Sequence, residues 1–191
     1  MKKKYCLFKE LVKSDLLAWC EHYHKKVSRL SFIFFFKQYP EFRVQIKTRL
    51  KLIESGWLCI FVKLLRYFIE FTVLHHCTFI YTEAECIGKG LLLHHGFSSM
   101  ISARLIGDYC HIYQQVTIGN GKNGIPSIGN NVTIYPGAKV VGGITIGEDV
   151  IIGANCVVTK DIPPHSIVAG IPGQIIKQRT SSKEEWCRVN I

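Results

Sequence analysis

Glycine and proline are almost missing from the first 79 residues, where Gly56 and Pro40 stand alone. A stretch so poor in turn-forming residues does not read as a meander of short strands, and aromatics, Lys and Leu fill it instead. Acid is scarce as well: 14 Asp and Glu face 24 Lys and Arg, a net charge of +10. That balance attracts phosphates, acidic substrates, nucleic acid or anionic lipid without choosing among them. Nucleic acid is the weakest of these, because no basic-aromatic motif or groove-reading helix is present. The eight cysteines, at 6, 20, 59, 77, 86, 110, 156 and 187, form no CxxC pair and no ligand spacing. Reduced thiols of a cytoplasmic protein fit this scatter better than a disulfide scaffold does, and a zinc site has little support, so no metal is expected.

Long uninterrupted apolar runs are lacking too. The basic start MKKKYCLFKELVKSD is broken by Lys9, Glu10 and Lys13 and does not read as a signal peptide. Residues 57–76, WLCIFVKLLRYFIEFTVLHH, reach spanning length, but Lys63, Arg66 and Glu70 would be costly at mid-membrane. The stretch reads as a buried or interfacial helix. A peripheral membrane contact stays open, which would place a cytoplasmic protein at the inner face of the membrane. Residues 5–20 put Leu7, Phe8, Leu11, Leu16 and Trp19 roughly on one helical face, and residues 41–54 look helical. With 191 residues, 48% of them hydrophobic, the chain can form one good core or a domain with an appendage.

From about residue 80 a period of six takes over. Aliphatics recur at Ile128, Ile134, Val140, Ile146, Ile152 and Val158, and earlier at Ile87, Leu93, Ile106, Ile112 and Ile118. Four positions later come Leu91, Phe97, Cys110, Val116, Val132, Ala138, Ile144, Val150 and Cys156, assigned to a second inward position. Glycine often follows the aliphatic, as at Gly88, Gly107, Gly129, Gly147 and Gly153. Six matches neither the 3.6 of a helix nor the 2 of a strand. It makes one short strand plus one turn, and three such sides close a triangular coil that stacks its aliphatics in columns. A sandwich would not hold strict sixes over six units. The expected layout is an N-terminal helical region at 1–79, a parallel β-helix at 80–177 and a tail at 178–191.

The stretches IGKGLLLHH (87–95), QVTIG (115–119), IGNNVTIYPG (128–137), IGEDVIIGANCVVTK (146–160) and DIPPHSIVAGIPG (161–173) resemble the hexapeptide-repeat acyltransferases. They are similar in particular to serine acetyltransferases and to the short acetyltransferases of bacterial polysaccharide gene clusters. The resemblance implies an all-β left-handed parallel β-helix and acetyl-CoA as co-substrate. It also implies a homotrimer, or a multiple of one, with active sites in clefts between neighbours. His95 aligns with the family's catalytic histidine. A neutral imidazole has the pKa to take a hydroxyl proton during attack on a thioester. His94 is assigned a supporting role. Coil counting sets Gln114 above His95, where it either meets the acceptor or is a plain ladder residue. Glu83, Glu85 or a backbone carbonyl are candidates for orienting His95. For coenzyme A the resemblance carries over Gly137, Ala154, Thr159, Lys160 and Lys177. Cys110 and Cys156 read as inert packing thiols.

The chain departs from the serine enzymes at three places. Their aspartate partner of the histidine falls on Ile80, a second serine-contacting aspartate on His94, and a loop histidine on Ile125 before Pro126. Losing polar contacts of that kind weakens discrimination for a zwitterion. The sequence therefore favours a sugar hydroxyl, met by Gln114, Asn120 or Asn123, over L-serine as acceptor. Serine O-acetylation is the alternative, and an inactive structural or nucleic-acid-binding solenoid is the non-enzymatic one.

Overall fold

The computed structural model describes residues 2–53, 59–72, 79–83 and 86–189. The hexads wind into a parallel β-solenoid of three faces. On the first face Ile80, Ile101, Ile118, Val140 and Val158 stand in register. The second stacks Ile87, Ile106, Ile128, Ile146 and Ile162. The third stacks Leu93, Ile112, Ile134, Ile152 and Val168. These columns form one continuous core, filled between faces by Leu91, Val116, Val132, Ala138 and their counterparts. The glycines after the aliphatics have a steric cause. A Cβ on Gly107 would come within 2.6 Å of the backbone of Gly129 in the next coil, so only glycine allows the coils to stack there.

Two expectations change in the first coil. Ile101, absent from the six-residue series, is fully buried and pairs with Ile80 and Ile118. Phe97, assigned to an inward position, is exposed. The cause is the inserted residue: Leu93 pairs with Ile112, nineteen positions on, and the surplus is taken up between 94 and 100. At the far end Gln174–Gln178 pairs antiparallel with Ser166–Ala169, and Cys187–Arg188 adds to it. Arg179 fixes this segment by bonding Asp149 at 2.7 Å and lying over Trp186 at 4.1 Å.

Among the described residues the N-terminal region holds four α-helices, α1 (Lys2–His22), α2 (Arg29–Gln38), α3 (Pro40–Leu50) and α4 (Cys59–Thr72). Pro40 starts α3, where its missing N–H costs nothing, and the Ser28 hydroxyl caps α2 by accepting from the N–H of Ser31. Of the helical face expected in residues 5–20, Leu11, Leu16 and Trp19 are buried and Leu7 is exposed. Trp19 sits among Phe35, Tyr39 and Phe42 at ring distances of 5.3–5.6 Å.

Polar contacts seat this bundle on the first coil. Trp19 Nε1 donates to Gln45 Oε1 (2.9 Å), and Gln45 Nε2 donates to Leu91 O (2.7 Å). Arg49, fully buried, donates to Asp15 at 2.9 and 3.1 Å and to Ile87 O at 2.6 Å. The Gly90 N–H donates to the same carboxylate at 3.0 Å. A buried charge pair is tolerable when its remaining donors and acceptors are met, as here.

Candidate active site

Each third-face strand ends at one edge of the prism. Because Ile112, Ile134 and Ile152 are in register, the residues two places on form a ladder along that edge, Gln114, Pro136 and Ala154, while His95 stands two places after Leu93 in the first coil, where the surplus residue is taken up. Gly137 follows Pro136, and its N–H donates to Gln114 O at 3.1 Å. The structure thus gathers Gln114, Gly137 and Ala154 on a single line, with His95 in the turn that leaves the same face one coil earlier and the Gln115 N–H donating to Phe97 O. His95 has a left-handed backbone (φ 45°), a conformation it shares with other corner residues such as Gln115 and Asn155. In the later coils the left-handed residue stands three places after the column aliphatic and not two, so at His95 the conformation belongs to the irregular stretch after Leu93, where the imidazole is exposed. One rung above, Gln114 Oε1 is buried and accepts no hydrogen bond among the described residues. An orphan acceptor one coil on from an exposed imidazole suits a ligand that donates.

His94 faces differently. It is buried, stacked on Tyr113 with ring centroids 4.3 Å apart, and its Nε2 lies 3.2 Å from Nδ1 of His111. Burial first, then His22, His111 and His95, push its pKa down to about 3, so it is neutral at working pH. His22, in the last turn of α1, meets His94 edge-on at 4.4 Å. Its own pKa is lowered by burial, then by His24 and His95. Nothing in the hexad pattern pointed to His22, since its place here is set by how α1 docks on the coil. Among the described residues no group of three His, Cys, Asp or Glu is arranged to hold a metal.

No carboxylate reaches His95 among the described residues. Ile80 packs against the core. Glu83 is exposed, and its carbonyl accepts from the N–H of Cys86. Glu85 lies outside the described residues, as do His75 and His76. The Cys110 thiol is buried and pushed up to about 12 by desolvation, and Cys156 is raised by the same cause. Neither thiol is poised as a nucleophile.

The remaining residues sit elsewhere. Thr159 and Lys160 follow the first-face strand Val157–Val158 and are exposed at the next edge of the prism. Asn120 and Asn123 belong to the loop that leaves the same face after Thr117–Gly119. The base of this loop is tucked onto the following coil, where Gly143 donates to Lys122 O at 3.0 Å and a Cβ on Gly143 would lie 2.0 Å from Asn123 O. Within one chain, therefore, Asn120, Asn123, Thr159 and Lys160 are on a different edge from His95. Lys177 is half-buried on the C-terminal strand, paired with Ile167 and Arg188. A groove of about 320 Å³ between α1 and the first coils, lined by Leu7, Cys86 and Asp108, does not include His95.

Comparison with known proteins shows what the chain is similar to. Residues 126–160 match the model described as bacterial transferase hexapeptide (six repeats). The serine acetyltransferase of Synechococcus elongatus is 46% identical over 96 residues, covering 47% of this chain and 39% of that protein. That of Staphylococcus xylosus is 49% identical over 98 residues, covering 48% and 45%. The chain thus spans less than half the length of the curated relatives it matches. Soybean serine acetyltransferase complexed with serine superposes with a TM-score of 0.68 at 27% identity, covering 88% of this chain and 69% of that one.

Proposed function

We propose that this chain, a serine acetyltransferase-like hexapeptide-repeat protein, transfers an acetyl group from acetyl-CoA to a hydroxyl. The observation that carries the reading is the edge ladder. An exposed imidazole at His95 and an unmet buried acceptor at Gln114 leave the same face in successive coils. His95 takes the proton of the acceptor hydroxyl as its oxygen attacks the thioester carbonyl. The tetrahedral adduct collapses: the C–O bond is kept, the C–S bond breaks, and the imidazolium returns its proton to the departing thiolate. Backbone N–H groups along the edge are suited to the oxyanion. His94, neutral and held between rings, positions its neighbour without taking a proton.

Acetyl-CoA lies along the edge carrying Gly137 and Ala154, with Thr159, Lys160 and Lys177 toward its phosphates. These residues occupy two edges, which supports a site completed by a neighbouring copy, and hence a trimer.

The relatives named above are serine acetyltransferases, and they favour L-serine as acceptor over the sugar hydroxyl that the sequence suggested. One observation keeps the sugar as a second reading. Ile80 is turned into the core and His94 is neutral, so two positions that would meet a zwitterion offer no charge. Coenzyme A release across L-serine and a panel of nucleotide- and lipid-linked sugars, with products identified by mass, decides between them. O-acetylserine as the product supports the first reading. Acetylated sugar alone reverses the order, and no release with any hydroxyl overturns both.

A further inference from the structure

The helix α4 has two apolar faces, and only one is used. Val62 and Ile69 are buried in the helical core. On the opposite side Ile60, Phe61, Leu64, Tyr67 and Phe68 are 60–75% exposed. Their spacing, i, i+1, i+4, i+7 and i+8, makes them one continuous stripe, because residues three and four apart are neighbours on a helix. The buried face fixes the stripe outward. Single exposed apolar side chains are ordinary, but five large ones in one stripe mark an interaction surface.

The distribution of charge identifies the occupant. Residues 1–79 carry 15 Lys and Arg against 6 Asp and Glu, whereas residues 80–191 carry 9 against 8. The net +10 of the chain is therefore +9 in the helical region and +1 in the rest. Lys63 is exposed on α4 beside the stripe, and its stem can lie along apolar surface while its ammonium stays in water. Two copies meeting through this region would bring like charge to like charge. An apolar stripe on a strongly basic body instead suits an anionic lipid surface, which offers both acyl chains and phosphates. At 14 residues α4 is about 21 Å long, and no described helix is long and apolar enough to cross a membrane.

We infer that α4 lies flat on an anionic bilayer, with Ile60, Phe61, Leu64, Tyr67 and Phe68 in the headgroup–acyl boundary and the basic helical region over the phosphates. None of the stripe residues takes part in the proposed chemistry, so lipid binding is tested independently of it.

The test is flotation of the full chain with vesicles of phosphatidylcholine alone and of phosphatidylcholine with one quarter phosphatidylglycerol. The chain floats with the anionic vesicles, weakly with the neutral ones, and less as salt rises. The double variant Phe61→Ser/Phe68→Ser loses about ten-fold or more in partitioning while keeping its helical circular dichroism. Lys63→Glu, which leaves the stripe intact, weakens only the anionic binding. Three results overturn the inference: no flotation with anionic vesicles, equal flotation of the double variant, or a change in that variant's sedimentation with partitioning untouched. The last would assign the stripe to a contact between copies.

Discussion

The two regions of this molecule are held together by opposite means. The β-helix repeats one contact along three columns, so each aliphatic is supported by an equivalent one above and below. It has 15 of the 16 glycines and almost no net charge. The helical region has a single glycine, a charge of +9 and an aromatic cluster around Trp19. It depends on contacts that occur once, chiefly Arg49 with Asp15 and Gln45 with Leu91. A periodic structure spreads its stability over many equal terms. A bundle seated by one buried ion pair concentrates it. The same seat brings His22 to the coil beside His94, so the docking of the helices bears on the surroundings of His95.

The largest expected effect breaks the seat. Asp15→Ala leaves Arg49 buried without its carboxylate, which costs about 3–5 kcal/mol. Urea unfolding followed by tryptophan fluorescence should show an early transition, since Trp19 lies in the bundle, while the β-sheet signal persists. A single late transition would mean that the two regions unfold as one. Next, Ile134→Ala in the middle of the third column should cost about 2–5 kcal/mol and lower the late transition alone.

A smaller effect is set by pH. The pKa of His94 falls from an ordinary 6.5 to about 3, and His111 and His22 are also lowered. The fold holds these rings neutral, so their contribution is present above pH 6.5 and is lost as pH falls toward 3. The urea midpoint should drop through that window, and His94→Phe, which keeps a ring on Tyr113, should flatten the slope. An unchanged slope would remove His94 from the account. Smallest is Lys160→Ala, which should raise the KM for acetyl-CoA by about 3- to 10-fold and leave kcat near normal, as for one exposed charge on a phosphate. A fall in kcat with KM unmoved would displace Lys160 from the cofactor.

How much was legible in the sequence follows from the same contrast. Period six assigned the second column from Ile87 to Ile146 and the third from Leu93 to Ile152, because every coil states the rule again, and it stopped short of Ile162 and Val168 at the end of the solenoid. It missed Ile101 and misplaced Phe97 where one inserted residue broke the count. The nineteen-residue step used to count from His95 to Gln114 is present at Leu93 and Ile112, but it shortens to seventeen by Ile101 and Ile118, so it cannot be carried through the stretch that holds His95. In the helical region, periodicity indicated α1 and α3 and the stretch containing α4. Arg49, Asp15 and His22 carry no periodic mark, since their partners are chosen by docking and lie far away in sequence. The acceptor was least legible. The substitutions at Ile80 and His94 argue for a neutral ligand, while the relatives of the coil argue for serine.

The central claim is that His95 is the base of an acetyl transfer on this edge. Its most direct test is steady-state coenzyme A release by His95→Ala beside calorimetric binding of coenzyme A, using whichever acceptor the wild-type chain turns over. Turnover should fall by about 100-fold or more, as for loss of a general base, with coenzyme A affinity within about 2-fold of wild type. Near-normal turnover in the variant would contradict the claim.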